Sequence, residues 1–288
     1  MRESSQKLTE ARSAWVSAAP VYSGLRMPRF PLPLDVPVPG ASFTDLLKDV
    51  GATPRWDLPA DAARTISAPE GTTVLALTYD GGVVIAGDRR ATEGYLVAHR
   101  HIQKVFAADR YSAVAIAGTA GLATEMVRLF QVELEHYEKL EGRRLSLEGK
   151  ANFLARLVRG QLPMAIQGLV VVPLFAGFDE IESVGRLYSY DVVGGRYEEI
   201  EFASTGSGSR LAKSFLRTAY EPGIDEARAT DLAVRALVSA AQEDTATGGP
   251  DLRRGILPNV FQIDAGGVTQ LADETISPLA EAALETIR

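Results

Sequence analysis

APEGTTVLALTYDGGVVIAGDRRATEG, residues 68–94, is the stretch whose reading decides the fold of this chain. Within it, TTVLALTY (72–79) and GVVIAGD (82–88) are runs of β-branched and aliphatic residues. They are joined by Asp80-Gly81, a dipeptide that favours a tight hairpin turn. Upstream the composition changes. Nine of the 15 prolines lie in 1–71, and PRFPLPLDVPVPG (28–40) reads as an extended, polyproline-like segment that holds no helix. The same 1–71 segment has 8 basic and 8 acidic residues, so the net charge of −7 belongs wholly to 72–288. These contrasts predict an irregular N-terminal arm, 1–71, followed by a compact domain, 72–288.

Downstream of the hairpin, YLVAHR (95–100), IQKVF (102–106) and YSAVAIAG (111–118) read as short strands. A helix is predicted over 120–141, where Met126, Phe130, Leu134, Tyr137 and Leu140 recur at helical spacing, and a second over 147–166. Strands follow at 169–179, 185–191 and 196–202, then helices at 209–220 and 226–242. Strands at 258–263 and 267–271 and a helix from 275 complete the pattern. Strands come in hairpin-linked groups and helices in consecutive pairs, without βαβ alternation. That order predicts an α+β fold, a four-layer αββα sandwich of two antiparallel sheets between two helical layers.

Composition removes several classes of function. With 46 % hydrophobic and 23 % charged residues over 288 positions, the chain can bury a sizeable core. The acidic balance leaves no electrostatic basis for general nucleic-acid binding. The absence of cysteine excludes disulfides, a thiol nucleophile and thiolate-held metals, and suits a reducing compartment. Of the three histidines, His99, His101 and His136, the first two sit two apart and read as a polar surface pair rather than metal ligands. The longest apolar run, Leu169 to Phe178, has 10 residues and contains Pro173. A membrane helix needs roughly 20. The charged start MRESSQKLTEARSAW does not suit a signal peptide. A soluble, cytoplasmic protein without membrane partners is expected. No Gly-x-Ser-x-Gly elbow is present, since Ser207 in TGSGS has glycine directly on both sides, and there is no lysine-bearing phosphate loop.

The spacing after Thr72 is informative. Asp88 ends the second strand of the hairpin, 16 residues on. Lys104 lies inside an apolar run, where an ammonium group costs desolvation unless it has a partner. Gly118 ends a strand just before a helix, where a backbone N–H can face an anion. Taken singly, Thr72 reads equally as a strand residue and Asp88 as a strand-end cap.

Six motifs in order, at compatible spacing, resemble the β-subunits of the proteasome core particle: GTT (71–73), GDRRAT (87–92), Lys104 within IQKVF, AGTAG (117–121), GSGS (206–209) and DTATGG (244–249). ELEHYEKLEG (133–142) and TATGGPDLRRGI (245–256) resemble the actinobacterial branch, and the resemblance covers essentially all of 72–288. It implies the N-terminal-nucleophile hydrolase fold and a threonine endopeptidase without cofactor or metal. The arm 1–71 would be a propeptide removed by self-cleavage of the Gly71–Thr72 bond. Thr72 Oγ would then be the nucleophile and its freed α-amine, with an ordinary pKa of about 7.7–8.0, the general base. Inside the precursor that nitrogen is an amide and takes no proton, so the arm keeps the enzyme latent. Gly71, lacking Cβ, permits the backbone geometry for attack on its carbonyl.

The resemblance further implies that Lys104, held by Asp88, supplies positive charge at the nucleophile. It makes the Gly118 N–H the oxyanion donor, and it places Ser207, Asp244 and Thr247 around the amine and hydroxyl. Thr247 stands where many relatives have Ser. Thr92, Gly118 and Ala120 match positions whose backbones pair with an extended peptide. Ala91, Ile102, Phe106, Ile116, Ala120 and Thr124 match the wall of an apolar pocket for the residue before the cut bond. Each is equally an ordinary core residue, just as Ser207, Asp244 and Thr247 are ordinary turn and cap residues. The implied partners are a heptameric β-ring stacked on a second, α-subunit rings capping both, an ATPase ring, and unfolded or modifier-tagged protein substrates. Three alternatives stand beside this reading: a catalytically silent ring subunit, the shorter two-ring threonine protease of other bacteria, and a small-molecule amidase with an N-terminal nucleophile.

Overall fold

The computed structural model describes residues 71–93 and 96–287; of the arm expected over 1–71, residues 1–70 lie outside the described residues, as does the start of the strand expected at 95. Twelve strands are described: β1 Thr73–Tyr79, β2 Gly82–Gly87, β3 Ala91–Glu93, β4 Leu96–His99, β5 Val105–Asp109, β6 Ser112–Gly118, β7 Val171–Asp179, β8 Val184–Tyr190, β9 Arg196–Glu199, β10 Phe202–Gly206, β11 Asn259–Asp264 and β12 Gly267–Gln270. Six helices accompany them: α1 Ala120–Glu141, α2 Leu147–Gly160, α3 Leu162–Ile166, α4 Ser209–Ala219, α5 Glu226–Glu243 and α6 Asp273–Ile287. One antiparallel sheet runs β10-β1-β2-β11-β12 and a second β5-β6-β7-β8-β9, with β3-β4 as a separate hairpin.

The expected four layers are present, and the burial pattern explains them. Val74 and Ala76 of β1 and Val83 and Ile85 of β2 face the second sheet, meeting Ala115, Leu174 and Leu187. Their neighbours Leu75, Leu77, Val84 and Ala86 point the other way, onto Leu232, Val234 and Leu237 of α5 and Leu216 of α4. Both faces of these strands are dry, so they read as continuous apolar runs rather than alternating ones. On the outside of the second sheet, Val114, Phe175 and Tyr188 meet Met126 and Phe130 of α1 and Leu154 of α2. Each such large side chain contributes about 1.5–3 kcal/mol by leaving water. Among the described residues no helix is long and apolar enough to cross a membrane.

Local chemistry sets the boundaries, and in four places they differ from the sequence expectation. The helix expected over 147–166 is two. Ser146 caps α2 by accepting the Gly149 N–H at 3.1 Å, α2 ends at Gly160, and Pro163 sits in the first turn of α3, where its missing N–H does no harm. The strand expected at 102–106 begins only at Val105, which pairs with Ala115, leaving Lys104 just ahead of the strand. The run 196–202 is divided: β9 closes the edge of the second sheet, whereas Phe202 opens β10 beside β1 in the first. Leu140, at helical spacing with the apolar residues of α1, is exposed in its last turn. That helix stops at Gly142, left-handed at φ 65°, whose N–H bonds the Glu138 carbonyl.

Candidate active site

The register of the first sheet gathers the motifs at one end. Thr73 pairs with Gly206, Val74 with Gly87, and Asn259 with Gly87 from the other side. Thr72 stands just ahead of β1 and is 7 % exposed. Its carbonyl oxygen accepts the Ser207 N–H at 2.8 Å, with the Ser207 hydroxyl at 3.3 Å. Only glycine fits at 206: its φ is +99°, and a Cβ there would lie 1.9 Å from the Thr72 oxygen.

Asp88 is fully buried at the end of β2 and serves four donors. Oδ1 accepts from the Thr73 N–H at 2.8 Å and from Lys104 Nζ at 2.6 Å; Oδ2 accepts from the N–H groups of Arg90 at 2.9 Å and Gly248 at 2.8 Å. The desolvation that an interior lysine demands is thus met by an ion pair. Burial nevertheless holds the Lys104 ammonium below the ordinary lysine pKa, against the upward pull of Asp88. Lys104 Nζ also donates to the Gly71 carbonyl oxygen at 3.1 Å. The charge of this pair therefore reaches the peptide unit that precedes Thr72.

Ser207, Asp244 and Thr247, from two places in the sequence, form a second group. Asp244 follows α5, and its Oδ2 accepts from the Ser207 hydroxyl at 2.6 Å and from the Thr247 hydroxyl, while Oδ1 accepts the Ala246 N–H at 3.1 Å. Burial pushes the Asp244 carboxyl up, but those hydroxyl and backbone donors outweigh it and leave it below its usual value. Ser207 gives its hydroxyl proton to Asp244 and its backbone N–H to the Thr72 carbonyl, so the group adjoins the peptide that starts at Thr72.

A cleft of about 50 Å³ opens beside Thr72, lined by Gly71, Ala91, Ile102, Gln103, Lys104, Ile116, Gly118, Ala120, Ala123 and Thr124. Five of the six side chains named for the pocket wall are brought together there. Phe106 is not: half-buried, it packs into the core of α1 and α2, and it pairs with Val114, two residues along β6 from Ile116. Thr92 does not line the cleft, but its Oγ1 lies 2.3 Å from where a Cβ on Gly71 would stand. Gly118 has φ +110° and a Cβ there would meet the Val170 carbonyl oxygen at 2.0 Å, so the crossing of β6 and β7 requires glycine. Sequence reasoning missed Gln103 and Ala123 in the cleft, the Gly248 N–H on Asp88, and Thr73. The GTT and TGG motifs contain two of these, but only a fold shows which atoms they present.

A family model described as proteasome subunit matches residues 68–251. A curated protein of Acidimicrobium ferrooxidans named proteasome subunit beta is 57 % identical over 230 residues, covering 76 % of this chain and 84 % of the relative. A proteasome subunit beta of Streptomyces griseus is 51 % identical over 260 residues, 88 % of this chain and 92 % of the relative. One of Acidothermus cellulolyticus is 53 % identical over 231 residues, with 79 % of each chain covered.

Proposed function

The chain belongs to the proteasome subunit family, as a core-particle β-subunit of the threonine endopeptidase type, and from that premise we propose that Thr72 is its nucleophile, released when the chain cuts itself between Gly71 and Thr72. One observation carries the assignment. The buried Lys104–Asp88 pair sits against the Gly71–Thr72 peptide, with Nζ 3.1 Å from the Gly71 oxygen. An ammonium there polarises that carbonyl. The Thr72 hydroxyl adds to the carbonyl carbon, the C–N bond breaks as its nitrogen takes a proton, and an ester links Gly71 to Thr72 Oγ. Water then hydrolyses the ester, freeing residues 1–71 as a propeptide and leaving 72–288 with an α-amino group.

In the mature chain the same hydroxyl attacks the carbonyl of a bound peptide, with the freed amine accepting its proton. Lys104 holds positive charge nearby, and Gly118, across the cleft, offers its N–H to the oxyanion. Ser207, Asp244 and Thr247 seat the amine. Ala91, Ile102, Ile116, Ala120 and Thr124 give the cleft apolar walls, which favours cleavage after hydrophobic residues; Thr92, Gly118 and Ala120 flank the path of an extended substrate. The working particle is a seven-membered β-ring stacked on a second and capped by α-rings, with an ATPase ring feeding unfolded or modifier-tagged proteins in the cytoplasm. Intact mass and N-terminal sequencing of the full chain, alone and after mixing with its α-partner, test the reading. A new N-terminus at Thr72 that appears on assembly and is lost in Thr72→Ala is the expected result. A complete particle that keeps residues 1–71 refutes it and leaves a silent ring subunit.

A further inference from the structure

The second residue of the proposed mature chain is fully buried and its hydroxyl is engaged on both sides. Thr73 Oγ1 accepts the Gly208 N–H at 2.9 Å and lies 2.6 Å from the Thr247 hydroxyl oxygen. Proton counting fixes the direction of that short contact. An ionised carboxylate only accepts, so Thr247 must spend its single hydroxyl proton on Asp244. At the Thr73–Thr247 contact, Thr73 is therefore the donor. The result is a one-way chain: Gly208 N–H to Thr73, Thr73 to Thr247, Thr247 to Asp244, with Ser207 entering the same Asp244 oxygen from its own side. No room exists for a substitute: a Cβ on Gly208 would stand 2.6 Å from both the Thr73 and the Thr247 hydroxyl oxygens.

We propose that the Thr73 side chain is a positioning residue for the general base, acting through Thr247 and Asp244 on the amine freed at Thr72. This rests on the reading of Thr72 as the N-terminal nucleophile. With the protons of Ser207 and Thr247 both committed to Asp244, their oxygens are left as acceptors. The N–H groups of a terminal amine are the donors they suit. Removing the Thr73 hydroxyl takes from the Thr247 oxygen the donor that polarises it and leaves the Gly208 N–H without its acceptor. A hydroxyl that no longer accepts is a poorer donor, so Thr247 neutralises Asp244 less, and Asp244 holds the neighbouring amine more firmly as the ammonium, which cannot act as a base. The backbone bonds of Thr73 with Asp88, donated and accepted, remain in any variant. The cleft that holds the substrate side chain lies on other residues.

The test compares Thr73→Val, Thr73→Ala and Thr73→Ser in the full chain assembled with its α-partner, after sequencing confirms a Thr72 terminus. A fluorogenic peptide ending in leucine gives kcat, KM and the rate–pH profile. Thr73→Val and Thr73→Ala should lower kcat by about tenfold with KM within about twofold, and move the acid limb up by about half a pH unit. Thr73→Ser should restore both. The inference is overturned if Val and Ala variants keep the parent kcat, if kcat falls with an unmoved acid limb, or if Ser is as impaired as Val. Loss of self-cleavage in both Val and Ala variants overturns it too, since it assigns the hydroxyl to folding of the precursor. Failure of the underlying reading shows separately, as activity in Thr72→Ala or a parent chain that keeps residues 1–71.

Discussion

Replacing Asp88 by asparagine keeps the shape of the side chain and removes one acceptor. All four groups that Asp88 serves are donors: the Thr73 N–H and Lys104 Nζ on one oxygen, the Arg90 and Gly248 N–H groups on the other. An amide has one acceptor oxygen, so in either orientation its NH2 confronts two donors. With the oxygen toward Lys104, two backbone N–H groups lose their acceptor, at about 1–3 kcal/mol each. In both orientations Lys104 loses its counter-charge, and breaking a buried pair from one side costs about 3–5 kcal/mol. The two costs overlap because the lysine can shed its proton, which leads to a total of about 4–5 kcal/mol. Urea unfolding of the full chain in a Thr72→Ala background, where no self-cleavage intervenes, reads this directly. At a slope of about 2 kcal/mol/M the midpoint should fall by about 2 M. Adding Lys104→Met removes the stranded charge, so the double variant should be about 2 kcal/mol more stable than the two single losses imply. An Asp88→Asn chain within about 1 kcal/mol of its parent, or losses that simply add, would refute the assignment of this carboxylate as the organiser of the site.

Gly71→Ala should stop or slow self-cleavage by at least about a hundredfold, read as uncut chain by intact mass, because φ is +106° and a Cβ would meet Thr92 Oγ1 at 2.3 Å and Ala246 Cβ at 2.9 Å. The lowered pKa of Lys104 gives opposite signs for activity and stability. Peptide hydrolysis should fall at a pH below the ordinary lysine value of 10.5 as the ammonium is lost. Over the same window the folded chain binds fewer protons than the unfolded one, so this group makes urea stability rise with pH. In Lys104→Arg the alkaline limb of the rate–pH profile should vanish whatever the absolute rate, since guanidinium keeps its proton there. Ala120→Val narrows a cleft of about 50 Å³, so kcat/KM for a peptide ending in tyrosine should drop about tenfold relative to one ending in alanine.

Much of the chain was legible because local rules and function agree there. The Asp80-Gly81 turn and the two apolar runs beside it set β1 and β2, whose six-residue register brings Gly87, and so Asp88, back beside Thr73. Hairpin-linked strands and paired helices were enough to predict two sheets between two helical layers. Lys104 announced a partner because an ammonium in an apolar run needs one, and the partner was Asp88. What sequence could not decide was which atoms meet across long separations. Whether 196–202 is one strand or the ends of two depends on which sheet edge each half finds, and no local signal marks Ile200 as the switch. Phe106 and Ile116 are both apolar strand residues that pack into the core of α1 and α2, and only the fold shows that Ile116 also borders the cleft. In the sequence Thr73 is one more threonine at the start of an apolar run. Its hydroxyl acquired a direction only when the fold set Gly208 on one side and Thr247 on the other, because a hydrogen bond depends on distances of a few tenths of an ångström that residue spacing does not encode.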